Sequence, residues 1–162
     1  MNLTKHFTFE ELTKTDIAEL QNKNRKQAET LKGKLIRLAE WAETLRAVLK
    51  VPMIITSGYR CGKLNERVGG SATSQHVKAE AIDFRPQGME PEAAFRKLAE
   101  SRAVSFGQLI LEKRGGRPFL HIGMGSRRQL LYSPKAGAFE PVPSPLVGEG
   151  KGEGYNGGDK WQ

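Results

Sequence analysis

The sequence predicts an α+β fold, a small antiparallel sheet flanked by helices, and three observations lead to it. From Gln27 to Leu49 apolar residues recur at intervals of three and four, the period of a helix that buries one face. Short runs at Met53–Thr56, Ala81–Arg85, Phe106–Glu112 and around His121 are rich in β-branched and aromatic residues, as strands are. Between the last two lies Arg114-Gly-Gly-Arg117, a hairpin turn that makes them antiparallel neighbours. With 162 residues and 38% hydrophobic content, the chain suits one domain with a modest core.

In chain order, Phe7-Thr-Phe-Glu-Glu-Leu places a threonine before two acids and an apolar residue, which predicts a short helix starting at Thr8 and ending near Thr13 to Thr15. His6 beside it is expected on the surface or in packing. The long helix follows, with Leu31, Leu35, Leu38, Ala42, Leu45 and Leu49 on one face, broadened by Ile36, Trp41 and Val48. Pro52 ends it, and Met53-Ile-Ile-Thr is a short strand leaving through Ser57-Gly58 with Arg60 at its exit. Lys63 to Val68 is a helical turn closed by Gly69-Gly70, whose backbone freedom lets the chain reach the Ser71 to Gln75 loop. In the Ala81–Arg85 strand, Ala81, Asp83 and Arg85 share one face while Ile82 and Phe84 enter the core. Glu90-Pro-Glu-Ala-Ala-Phe-Arg-Lys-Leu-Ala is a helix with proline in its first turn, and Gln129–Tyr132 adds an edge strand. After Ser133 prolines and glycines dominate, a composition that cannot offset its ordering entropy. Residues 1–133 are thus the expected domain and 134–162 a flexible tail without chemistry.

Composition narrows the function. No apolar run approaches the ~20 residues of a membrane span, and Met-Asn-Leu-Thr-Lys-His-Phe-Thr lacks the charged and apolar segments of a signal peptide. Cytoplasmic synthesis without Sec-type export is expected. Cys61 is the only cysteine, so no internal disulfide forms; it reads as a small residue filling a turn. A net charge of +8 attracts polyanions such as nucleic acid, anionic lipid or wall polymers. The basic residues are scattered without aromatic interleaving, which fits a solvated face better than a specific nucleic-acid site.

The polar residues that stand out are His76, Asp83 and His121. His76 and Asp83 lie seven positions apart, too far for neighbouring helical turns, and must meet across a loop-to-strand bend. With His121 on another apolar strand they make a nitrogen and oxygen set suited to zinc, leaving a fourth position for water. The same pattern is compatible with an aspartate capping a loop and a hydrogen-bonded core histidine. Arg60 carries a planar fork that suits a carboxylate or an oxyanion, or a surface salt bridge.

Ser74-Gln-His76-Val-Lys-Ala79-Glu-Ala81-Ile-Asp83 resembles the S-x-H-x-x-G-x-A-x-D motif of the zinc D-alanyl-D-alanine carboxypeptidases, a family that includes phage endolysin peptidases. Ser57-Gly-Tyr-Arg60, Leu64-Asn65 and Val68-Gly-Gly-Ser71 are similar to its upstream block, and Phe119-Leu-His121-Ile to its last histidine strand; the opening around Phe7 resembles its phage members. The resemblance covers roughly Leu3 to Tyr132. It implies a hedgehog-like DD-peptidase fold, Zn2+ held by His76, Asp83 and His121, and hydrolysis of D,D- or L,D-bonds in peptidoglycan stem peptides. Arg60 is the implied contact for a substrate carboxylate or carbonyl; Ser71 and Ser74 are candidates to orient ligands or substrate, against plain turn formers in a glycine-rich loop, and Gln108 is a further candidate substrate contact. A monomer acting on the cell wall after holin-type release is expected.

Two positions depart from that pattern. Ala79 stands where the family prefers glycine, and a positive φ there costs an alanine on the order of 1 kcal/mol. Pro118 stands three residues before His121, where many members carry the acid that shuttles protons. Phage-type members have a Gln-Leu-Ile-x-Glu segment, matched by Gln108-Leu-Ile-Leu-Glu112 with a longer gap to the histidine. Glu112 is therefore the candidate general base, against a plain hairpin salt bridge with Arg114 or Arg117. A non-catalytic wall-binding module of the same fold is the alternative function, and a basic nucleic-acid-binding protein a third.

Overall fold

The computed structural model describes residues 1–113, 115–135, 138–140 and 142; most of the expected tail lies outside them. The elements in order are α1 (Phe9–Leu12), α2 (Ala18–Glu29), α3 (Lys32–Leu49), β1 (Met53–Ser57), α4 (Gly62–Arg67), β2 (Ala81–Pro86), α5 (Pro91–Glu100), β3 (Gln108–Glu112), β4 (Phe119–Gly123) and β5 (Gln129–Ser133). The five strands form one sheet in the order β1-β2-β4-β3-β5, so the α+β architecture expected from the pattern is present. No described helix is long and apolar enough to cross a membrane.

By compactness the chain falls into two units, and the boundaries run inside α3, β1 and β2. The first comprises residues 1–44 and 55–83. Its α1 opens with the expected capping box: Thr8 Oγ1 accepts from the Glu11 amide at 3.2 Å and Glu11 Oε2 accepts from the Thr8 amide at 2.9 Å, each satisfying an amide that the helix start leaves open. Leu35, Leu38 and Ala42 of α3 are fully buried, as the stripe predicts.

The single long helix from Gln27 is corrected, because α2 and α3 are separate helices. At the break, Thr30 caps α2 by turning its amide and its Oγ1 back to the Gln27 carbonyl, at 3.2 and 2.7 Å, a local bond that competes with helix continuation. Helix α2 itself escaped the reading of the sequence because its buried positions are Leu20, Asn24 and Ala28, with only one large apolar residue among them.

The second unit comprises residues 45–54 and those from 84 on. Strands β3 and β4 form the expected hairpin, with Ile110 opposite His121 and Glu112 opposite Phe119. β5 lies at the edge, as expected, but pairs parallel to β3. The sheet is mixed in that one pair rather than wholly antiparallel. Strand alternation sorts the side chains: Leu109, Leu111, Leu120 and Ile122 are fully buried on one face, while Ile110, Glu112, Phe119 and His121 share the other. Helix α5 packs against β3 and β4, with Ala94, Phe95 and Leu98 buried. Each fully buried Leu or Phe side chain contributes about 1.5–3 kcal/mol.

Candidate metal centre

The segment after β1 is fixed by its backbone. Tyr59 N donates to the Leu12 carbonyl at 2.7 Å and Arg60 N to the His76 carbonyl at 3.1 Å. Asn24, fully buried, donates from Nδ2 to the carbonyls of Thr13 (2.8 Å) and Tyr59 (3.1 Å) and accepts from the Cys61 amide at 2.7 Å. Gly58 leaves no room for a side chain, since a Cβ there would sit 2.4 Å from the Leu12 carbonyl oxygen. These bonds hold Arg60 and the Gly58 carbonyl in place.

The loop before β2 is a series of turns, Ser74 N to Ser71 O, Val77 N to Ser74 O and Glu80 N to Gln75 O. It enters the strand through Ala79 at φ 57, the left-handed backbone that glycine adopts without cost. The positive φ anticipated at this position is therefore present. The turn delivers His76, 3% exposed, and β2 delivers Asp83, 5% exposed.

His76 Nδ1 lies 2.7 Å from the Gly58 carbonyl oxygen. A carbonyl only accepts, so Nδ1 carries a proton and Nε2 is the ring atom turned toward Asp83. That Nε2 lies 3.2 Å from Asp83 Oδ1, a contact that a proton on Nε2 or a shared cation satisfies. Two ligands at zinc distances of about 2.0–2.1 Å in a tetrahedral array stand about 3.3–3.4 Å apart, so the pair already has the spacing of two ligands of one ion. Asp83 Oδ2 accepts from Arg60 Nη2 at 3.0 Å, and Arg60 Nε donates to Ser57 Oγ at 2.9 Å. The carboxylate is thereby oriented with Oδ1 toward His76.

One ligand atom from each of His76, Asp83 and His121 can be chosen so that all three lie within 4.8 Å of one another. The sequence-predicted set is thus brought together. Two imidazoles and a carboxylate fit zinc by donor chemistry, and with three protein ligands one position remains for water. The Gly58 carbonyl on His76 and the Arg60 fork on Asp83 are the outer partners that such ligands require.

Glu112, 4% exposed, shares the sheet face of His121. It pairs with Phe119 while His121 pairs with Ile110, which makes Glu112 and His121 diagonal neighbours, about 7–8 Å apart at the backbone and within reach of long side chains. Gln108 lies on that face too, opposite Gly123. Ser74 Oγ accepts from the His76 amide at 3.3 Å. Ser71 is exposed, and its Oγ bonds to Thr73 Oγ1 at 3.0 Å. Ser57, Gly58 and Asn24 were not singled out as positioning residues by sequence. Ser57 and Gly58 stand in the Ser-Gly-Tyr-Arg block and could have been found there, whereas Asn24 in a polar helix gives no signal.

A family model described as Peptidase M15 matches residues 5–122. The chain belongs to the M15 peptidases, the family of zinc D-Ala-D-Ala carboxypeptidases and endolysin peptidases. No curated protein matches it significantly. Family membership and the His76, Asp83 and His121 cluster together mark the protein as a metallopeptidase with a zinc-type ligand set.

Proposed function

We propose that the protein hydrolyses peptide bonds involving D-amino acids in peptidoglycan stem peptides, as a D,D- or L,D-peptidase, with His76, Asp83 and His121 holding zinc. The observation that carries this reading is the convergence of the three family ligands to within 4.8 Å. When bound, zinc supplies a Lewis acid that acidifies water and polarises the scissile carbonyl.

Glu112 takes a proton from the attacking water and returns it to the departing amine nitrogen as the C–N bond breaks. Its support is the face it shares with His121, since Pro118 offers no titratable group. Arg60 holds Asp83 through Nη2, and in this scheme the remaining Nη turns to the carbonyl oxygen or carboxylate of the substrate. Ser74 steadies the His76 backbone, and Ser71 and Gln108 contact the peptide at the rim.

Zinc-loaded full-length protein is incubated with purified sacculi and the released products are identified by mass spectrometry. Shortened stems or free D-alanine are expected. Bound zinc with unaltered sacculi contradicts the proposal and favours a wall-binding module.

A further inference from the structure

We propose that Arg85 is a second substrate-binding cation, which recognises a carboxylate of the peptide one or two residues from the bond that is cut. This deepens the peptidase reading above and rests on it. Arg85 follows Asp83 by two positions in β2, so alternation puts both side chains on one face about 6.6 Å apart along the strand. Its guanidinium carbon lies 6.0 Å from the centroid of the Phe119 ring. Phe119 in turn precedes His121 by two positions in β4 and stands opposite Glu112. Arg85 is therefore tied to both ligand strands at equal spacing from their metal ligands.

The hydrogen bonds of this side chain set it apart from two other partly buried arginines. Arg60 spends its donors on Ser57 and Asp83, and Arg128 on the carbonyls of Val104, Ala99 and Ser101. Among the described residues Arg85 Nη2 reaches only the Arg117 carbonyl, at 3.3 Å, and Nε is buried with no hydrogen-bond partner. No Asp or Glu among them forms an ion pair with it. A cation with an unused buried donor is costly to keep. A planar fork backed by an aromatic ring is shaped to receive a carboxylate edge-on. An extended peptide advances about 3.3–3.6 Å per residue, so the 6.6 Å offset matches a carboxylate one or two residues from the carbonyl at the ligand set.

The carboxylate belongs either to the C-terminus of the substrate or to an acidic side chain, and three synthetic stem peptides separate these sources: one unmodified, one amidated at the C-terminus and one amidated at the side-chain carboxylate. Steady-state kinetics are measured on zinc-loaded wild type, Arg85→Gln and Arg85→Lys, with zinc content determined for each. The wild type should prefer the unmodified peptide to one of the two amides. In Arg85→Gln the KM for the unmodified peptide should rise on the order of 10- to 100-fold with kcat little changed, while the discriminated amide is unaffected. Arg85→Lys, which keeps the charge but not the fork, should fall between, and it carries the test if Arg85→Gln does not fold. Equal loss on all three peptides, or no loss, overturns the proposal. If the wild type cleaves none of them, the peptidase reading fails separately. Calorimetric titration of the same peptides into zinc-loaded protein then decides the point: discrimination abolished by Arg85→Gln upholds carboxylate recognition, and equal binding overturns it.

Discussion

Arg60 and Asp83 form a part-buried ion pair, Nη2 to Oδ2 at 3.0 Å, that leaves the other carboxylate oxygen directed at His76. In the proposed zinc centre the pair is a ligand and its orienting partner. Arg60→Gln should therefore weaken zinc binding by about 10- to 100-fold, the usual cost of removing an outer partner of a ligand. Competition with a chromophoric chelator measures this. Unchanged affinity would confine Arg60 to the substrate.

Glu112 and His76 separate chemistry from metal binding. His76→Ala removes a ligand and should abolish zinc retention and turnover together. Glu112→Gln keeps size and shape but cannot move a proton, so it should retain zinc while turnover falls by about 10²- to 10⁴-fold. Metal analysis beside the sacculus digestion reads both. Full activity in Glu112→Gln removes that residue from the scheme.

Ala79 at φ 57 holds strain that glycine would relieve. Left-handed backbone costs a non-glycine residue roughly 1–2 kcal/mol, and the added freedom of the unfolded chain returns about 0.4–1 kcal/mol of that. Ala79 is 1% exposed, so glycine also forfeits about 0.8 kcal/mol of methyl burial, and Ala79→Gly should be close to neutral, with Tm shifted by no more than a few degrees in calorimetry. A loss of about 1–2 kcal/mol, the cost at an unstrained buried alanine, would show that the backbone there is not strained.

Glu43 ties the start of the chain to α3, accepting from Thr4 Oγ1 at 2.7 Å and from the His6 amide at 2.8 Å, with His6 Nδ1 2.7 Å away. Burial pushes its carboxyl pKa up, but the bonds from His6 and Thr4 and the His6 charge outweigh burial and leave it below 4.5. A carboxylate depressed in the folded state stabilises above its unfolded pKa, and the contribution fades as pH falls through the lower folded value. Amide exchange at His6 should therefore accelerate as pH drops below about 4.5 relative to the intrinsic rate, and Glu43→Gln should remove that dependence.

Much of the site was legible because its ligands sit in a short motif on a turn and a strand, where spacing and alternation fix what points where. His76 and Asp83 follow from that motif and His121 from the separate Phe119-Leu-His121-Ile segment, and Ala79 declared its positive φ by standing where a glycine is preferred. The α2–α3 break was not legible, because Thr30 closes α2 through a side-chain bond that no periodicity records. Nor was the clamp from Asn24, which acts through two backbone carbonyls and an amide far away in sequence. The parallel pairing of β5 with β3 depends on where the chain returns after the hairpin, which local pattern does not encode.

His76, Asp83 and His121 are proposed to hold one zinc ion. Plasma mass spectrometry of the purified full chain after zinc loading and desalting tests this most directly, with His121→Ala as the control. About one zinc per wild-type chain and almost none in His121→Ala is the predicted result; a wild-type protein that stays empty after loading, or a variant that retains a full equivalent, would contradict it.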